Sequence, residues 1–173
     1  MAKGYPRGLG RGRPNTQEII RQVVRVRDVQ VTVAGATGVG FGTAVIGDMP
    51  EGNILFLGAV SYLAFTGPGS ANLADTFDGD YAIGTAPTAD ATLADAEIDI
   101  IQSTALGAAT AEVSPRARGT HAVANTGAVL DNTDNSLELN LNLLIDDANI
   151  DANGIVMRAN GEVILTYIVL GDD

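Results

Sequence analysis

Few residues in this sequence are of a type and spacing that could do chemistry. The most suggestive stretch is Val31-Thr32-Val33 running into Ala34-Gly35-Ala36-Thr37-Gly38-Val39-Gly40. A strand feeding a glycine turn is how dinucleotide folds cradle a pyrophosphate. That use needs a helix next, because the helix N-terminus binds the phosphate. The next residues are instead Phe41-Gly42-Thr43-Ala44-Val45-Ile46-Gly47 and then Pro50, a poor helix without a P-loop lysine. Glycine-rich strands joined by a turn are therefore expected, with no cofactor.

Asn149-x-Asp151-x-Asn153-Gly154 imitates the opening of a calcium loop, with glycine in the sixth position. The first ligand is Asn rather than Asp, and the twelfth position is Asn160 rather than a bidentate Glu. Asp131-Asn132-Thr133-Asp134-Asn135 is a second candidate cage. Asx residues are also ordinary turn formers, and turns without metal are the expectation for both. His121 is the single histidine, it lies in a Gly/Ala/Thr-rich segment, and no G-x-S-x-G motif occurs. A hydrogen-bonding or exposed histidine is expected there, not a triad member. The 21 acids offer many pairings for glycoside hydrolysis, but with no Trp the sugar-stacking platform is weak. Neither catalytic nor cofactor nor metal residues are expected, so the chain reads as a non-enzyme.

The remaining candidate is electrostatic. Residues 1–27 hold Lys3, Arg7, Arg11, Arg13, Arg21, Arg25 and Arg27 against Glu18, a net +6, and the other residues then carry −17 of the total −11. Arg7, Arg11 and Arg13 are spaced by glycines, which suits an arm docking on an acidic protein surface. A free solvated tail is the plain alternative. Nucleic acid is the third, because Arg/Gly segments contact it, but the acidic body opposes a polyanion.

The elements that must carry these residues are strands. The chain has 173 residues, enough for one domain with a real core, and is 46% hydrophobic but 5% aromatic, so the core must be aliphatic. Twenty-one Gly and six Pro point to many turns. The absence of cysteine removes disulfides, thiolate metal sites and cysteine nucleophiles. No apolar run approaches the ~18 residues of a membrane span, and no apolar h-region comes after the basic N-terminus, so no membrane partner and no signal peptide are expected.

Residues 1–14 cannot bury enough surface to offset their ordering entropy and should be disordered alone. Asn15-Thr16-Gln17-Glu18 has capping-box spacing, and Ile19 to Val24 could form a turn of helix at most, or strand from the start. The division expected is an arm with a short helix over 1–23 and a β domain over 24–173. Alternation in Arg25–Val33 predicts a strand with a bulge at Arg27-Asp28, where the phase slips. Further strands are expected at Val39–Val45, Ile54–Leu57 with Val60–Phe65, Tyr81–Ile83 and Glu97–Ile100, where the Ala-rich surroundings leave a helix as the alternative, with one or two short ones in 104–129. Leu137 to Ile145 alternates with Glu138, Asn140 and Asn142, which predicts one wet face. Asn160-Gly161 between apolar runs predicts a hairpin, and Val163–Leu170, apolar on both faces, predicts a central strand. Eight or nine strands at short intervals fit an antiparallel β-sandwich of jelly-roll kind with a flexible basic N-terminal arm.

With Asp78-Gly79-Asp80-Tyr81-Ala82-Ile83-Gly84-Thr85-Ala86 in the middle and Gly161 to Asp173 at the end, this pattern resembles jelly-roll decoration (cement) proteins of tailed-phage heads. Such proteins end on a similar strand, aromatic–apolar–x–Leu-Gly-Asp. The resemblance implies a homotrimer on the outer surface of the virion, joining neighbouring major capsid proteins. Val163, Leu165, Tyr167 and Val169 on the last strand are the expected oligomer interface, and Arg7, Arg11 and Arg13 the expected capsid contact. The alternative is a β-sandwich carbohydrate- or receptor-binding module, such as a head-fibre or lectin-like tip. A hydrolase on a jelly-roll scaffold is a third reading, opposed by the missing His cluster.

Overall fold

The computed structural model describes residues 18–36, 38–69, 71–150 and 152–171. Among them run nine strands: β1 Ile20–Ala36, β2 Gly38–Asp48, β3 Gly52–Thr66, β4 Asp78–Gly84, β5 Ile101–Ala105, β6 Ala117–Thr120, β7 Val129–Asn132, β8 Glu138–Asp147 and β9 Ile155–Gly171. All pairings are antiparallel, in the order β5-β4-β8-β2-β1-β9-β3-β6, with β7 also beside β3. The fold is thus all-β: a strongly curled, half-barrel antiparallel sheet of sandwich- or barrel-like architecture.

β1 joins the two halves. Ile20 to Val33 pairs with β9, and Ala34 to Ala36 pairs with β2. One leaf is therefore β1-β9-β3 with β6 and β7, and the other is β2-β8-β4-β5. The curl brings the end strands β5 and β6 against each other. Between the leaves, Ser61 Oγ of β3 lies 2.9 Å from Tyr81 Oη of β4, and the Tyr81 ring packs on Phe65 at 5.5 Å. The core is aliphatic, with Val31, Val33, Leu63, Leu141 and Leu165 fully buried. Each such side chain contributes about 1.5–3 kcal/mol relative to exposure.

Alternation decides most of this. In β1 the inward residues are Val24 and Val26, then Val29, Val31 and Val33. The change of phase is the expected bulge: pairing with β9 skips from Val26 to Val29, and Asp28 takes φ 51°. β9 lies between β1 and β3, the central position expected for it. Residues 20–23, assigned from the sequence to an arm with a helical turn, are strand. Their β-branched side chains favour it, and β9 supplies partners as far as Tyr167.

Three other expectations are corrected. Asn160-Gly161 is not a hairpin turn; β9 runs straight through it. Both flanking strands extend past this point, with Gly161 opposite Val26 on one side and Leu63 on the other. Asn160 instead accepts the Asp28 N–H on its Oδ1 at 2.9 Å, satisfying the bulge, and Arg158 pairs with the Asp28 carboxylate at 2.5 Å. Glu97–Ile100 is not a strand: a 3-10 turn at Asp95–Glu97 and a bend precede β5.

The third correction concerns β8, whose polar side is wet only at its ends, at Glu138 and Asp146. Asn140 and Asn142 are buried, Asn142 because the loop between β4 and β5 folds over it. Asn142 Oδ1 accepts the Thr88 N–H at 2.9 Å, and its Nδ2 donates to the carbonyls of Ala86 at 2.9 Å and Glu97 at 3.0 Å. The same loop holds Asp99, which accepts from Thr85 N–H (2.9 Å) and Thr85 Oγ1 (2.6 Å). Burial raises the Asp99 carboxyl above its ordinary range, outweighing those hydrogen bonds.

An acid with a raised pKa in the fold binds its proton more tightly there than in the unfolded chain. Its contribution is fully present below the unfolded value and is lost as pH rises through the folded one. Asp99→Asn keeps an oxygen for the Thr85 N–H and removes the buried charge. The melting temperature of wild type minus that of Asp99→Asn should therefore fall as pH is raised from about 3 to 7. A constant difference would mean that the charge costs nothing.

Candidate functional site

The two leaves present outer faces of opposite character. On β1 the residues pointing away from the core before the bulge are Arg21, Val23 and Arg25, all exposed. Strand register carries them across the leaf: Val23 lies opposite Ile164, Ile164 opposite Val60, and Val60 opposite Thr120. The next row outward is Arg25, Glu162, Tyr62 and Arg118. An apolar row thus runs beside a charged one. Val23 is 45% exposed, and at the far end Val129 is 56% exposed opposite Leu55, itself paired with Ile168.

The six described arginines are Arg21, Arg25, Arg27, Arg116, Arg118 and Arg158, and all lie in this leaf or at the start of β6. Arg158 alone makes an ion pair among the described residues, with Asp28. The other guanidinium groups are unpaired within the described chain and open to solvent.

The other leaf is the reverse. β2, β4, β5 and β8 hold no Lys or Arg but carry Asp48, Asp78, Asp80, Glu138, Asp146 and Asp147. Antiparallel register sets Asp78 opposite Asp146, with Asp80 two residues along the same face of β4. The three carboxylates rim a cleft of about 400 Å³ whose walls include Val39, Leu144 and Leu106. Like charges directly opposite on neighbouring strands are destabilising, and none of the three is paired among the described residues. Asp147 differs, since it accepts the N–H groups of Ala74 (2.6 Å) and Asn149 (2.8 Å) as a structural cap.

The fold scatters the residues singled out from the sequence. Arg7, Arg11 and Arg13 lie outside the described residues. Val163 and Leu165 are fully buried and Tyr167 is nearly so, inside their own chain, with Val169 packed against the core. These inward side chains are not available as an oligomer surface; the alternate residues Ile164, Thr166 and Ile168 form the outer side of β9. The glycine-rich segment is the β1–β2 hairpin, with Ala36 opposite Val39 and Gly38 at φ 101°, and it leads into a strand rather than a helix.

In the first candidate calcium loop Ile150 is fully buried and its N–H bonds to the Asp147 carbonyl at 3.1 Å. In the second, Asp131 accepts from Thr133 N–H and Oγ1, which holds its carboxyl below the ordinary range. Asp134 accepts in the same way from Ser136. Buried Asn132 donates to the carbonyls of Met49 and Pro50. No group of three metal-ligating side chains occurs among the described residues.

His121 is a packing residue. Its Nδ1 lies 3.2 Å from both the N and the O of Ala59, its Nε2 lies 3.0 Å from Thr126 Oγ1, and its ring meets Phe56 edge-on at 5.9 Å. It closes the irregularity in β3 between Phe56 and Gly58.

Sequence reading missed two things, the convergence of Asp78, Asp80 and Asp146 and the membership of Arg118 in the basic face. The only local signal was the Asp78-x-Asp80 spacing, which puts both carboxylates on one face of a strand. No family model matches this chain, and no curated protein sequence matches it.

Proposed function

We propose that this chain is a structural protein of a tailed-phage virion, a jelly-roll decoration protein. In this reading it binds the outer surface of the capsid, bridges neighbouring major capsid proteins and works as a homotrimer. The jelly-roll assignment is supported by strand order. With β7 set aside as an addition, the leaves read β1-β9-β3-β6 and β2-β8-β4-β5. Successive strands then alternate between leaves except at β4 and β5, which are neighbours in one leaf, with first beside last, as in a double Greek key. The role is supported chiefly by one observation: outer faces that carry unpaired charge and exposed apolar side chains on a rigid sheet. Such surfaces suit contact with other proteins.

The arm fits this reading through its connection. It leads into β1, whose Arg21, Arg25 and Arg27 continue its charge. Exposed ion pairs contribute only about 0–1 kcal/mol each, so several must act together and binding should weaken with salt.

Mass spectrometry of purified particles from the source should find this chain as an abundant coat component. Deleting residues 1–14 should leave the melting temperature nearly unchanged and lower capsid occupancy. Full occupancy by the truncated chain, or its unfolding, would rule out the anchor. A DNA gel shift by the full-length chain, lost on truncation, would instead favour nucleic acid as the arm's partner.

A further inference from the structure

We infer that the basic outer face of the β1-β9-β3-β6 leaf docks, head to tail, on the acidic cleft of a second copy, which Asp78, Asp80 and Asp146 rim at the end of the β2-β8-β4-β5 leaf left uncovered by the β4–β5 loop. This deepens the self-association in the reading above by naming the two faces, and it is independent of what the arm binds.

Charge complementarity argues for this occupant. The described arginines of one copy are concentrated on one leaf, and the other leaf has carboxylates without a single basic residue. Each face also has an apolar component of matching kind. Val23, Ile164 and Val60 form a row on the basic face, and Val39, Leu144 and Leu106 line the acidic cleft. Charges around an apolar centre give register and exclude wrong partners, while the apolar area supplies attraction.

Two copies meeting through their basic faces would set Arg21, Arg25 and Arg118 against the same residues. Two acidic faces would do likewise with Asp78, Asp80 and Asp146. The unlike pairing alone relieves both. It also gives a use to the Asp78–Asp146 juxtaposition, which is unfavourable in an isolated chain.

The test uses the full-length chain and two double variants at exposed or half-exposed positions, Arg21→Glu with Arg118→Glu and Asp78→Arg with Asp146→Arg. Circular dichroism checks that both fold. By sedimentation at about 100 µM and low salt, wild type should associate, and each variant alone should associate at least about tenfold more weakly. An equimolar mixture of the two should recover association, because each reversed face then meets a complementary one. A monomeric wild type would overturn the proposal. So would an Asp variant that associates like wild type, which would indicate basic faces meeting each other by another contact. A mixture no stronger than its components would do the same. Capsid occupancy is a separate readout, so failure here leaves the virion reading to its own test.

Discussion

Gly161→Ala should cost about 3–5 kcal/mol, a large share of a typical stability of about 5–15 kcal/mol. Two effects coincide at this residue. Its φ of 147° is one that an L side chain rarely adopts, and an added Cβ would lie 1.9 Å from the Tyr62 carbonyl oxygen. That oxygen belongs to the backbone of β3, so it cannot move aside without opening the β3–β9 pairing at the centre of the leaf. The control is Gly38→Ala. Gly38 has φ 101°, but its Cβ would meet nothing within 4 Å, so only backbone strain of about 1–3 kcal/mol should appear. Urea denaturation of both variants separates strain from collision. Equal midpoints for the two would refute the collision argument.

The second large effect is expected at Asn142. Asn142→Ala removes one acceptor and two donors from a fully buried side chain. The Thr88 N–H and the Ala86 and Glu97 carbonyls then lose their partner, and each unsatisfied group costs about 1–3 kcal/mol when water cannot replace it. Because the loop can lift and let water in, the net loss should be about 3 kcal/mol rather than the full total. The loss should be local first: limited proteolysis should cut within 85–99 in the variant under conditions that leave wild type intact. A variant that melts several degrees lower yet shows no new cleavage there would mean that Asn142 supports β8 itself and not the loop.

Much of the architecture was legible in the residues because a half-buried strand writes its environment into every second position. Val29, Val31 and Val33, and Leu139, Leu141, Leu143 and Ile145, face the core as their spacing requires. The slip at Arg27-Asp28 marks the bulge, since two residues must be passed over to restore phase. These are local properties, set by the period-2 geometry of an extended chain.

The failures have one cause: long-range partners overruled a local signal. Asn160-Gly161 has the composition of a hairpin turn, yet β1 and β3 extend past it on both sides and hold it extended. Asn140 and Asn142 look like residues of a solvated face. A loop more than 40 residues earlier in the chain covers Asn142 and takes up its hydrogen bonds. Val163, Leu165 and Tyr167 were assigned to an oligomer surface because β9 is apolar on both sides, and sequence cannot tell which side faces inward.

The sequence by itself determined that this chain forms antiparallel strands around an aliphatic core and that charge is unevenly distributed along it. The tertiary structure decided where that charge lies. Arg21 and Arg118 are almost 100 residues apart, and Asp78 and Asp146 nearly 70, so no local pattern could group them. They converge because strand pairing fixes register between distant segments, and because each pleat then assigns a side chain to the core or to solvent.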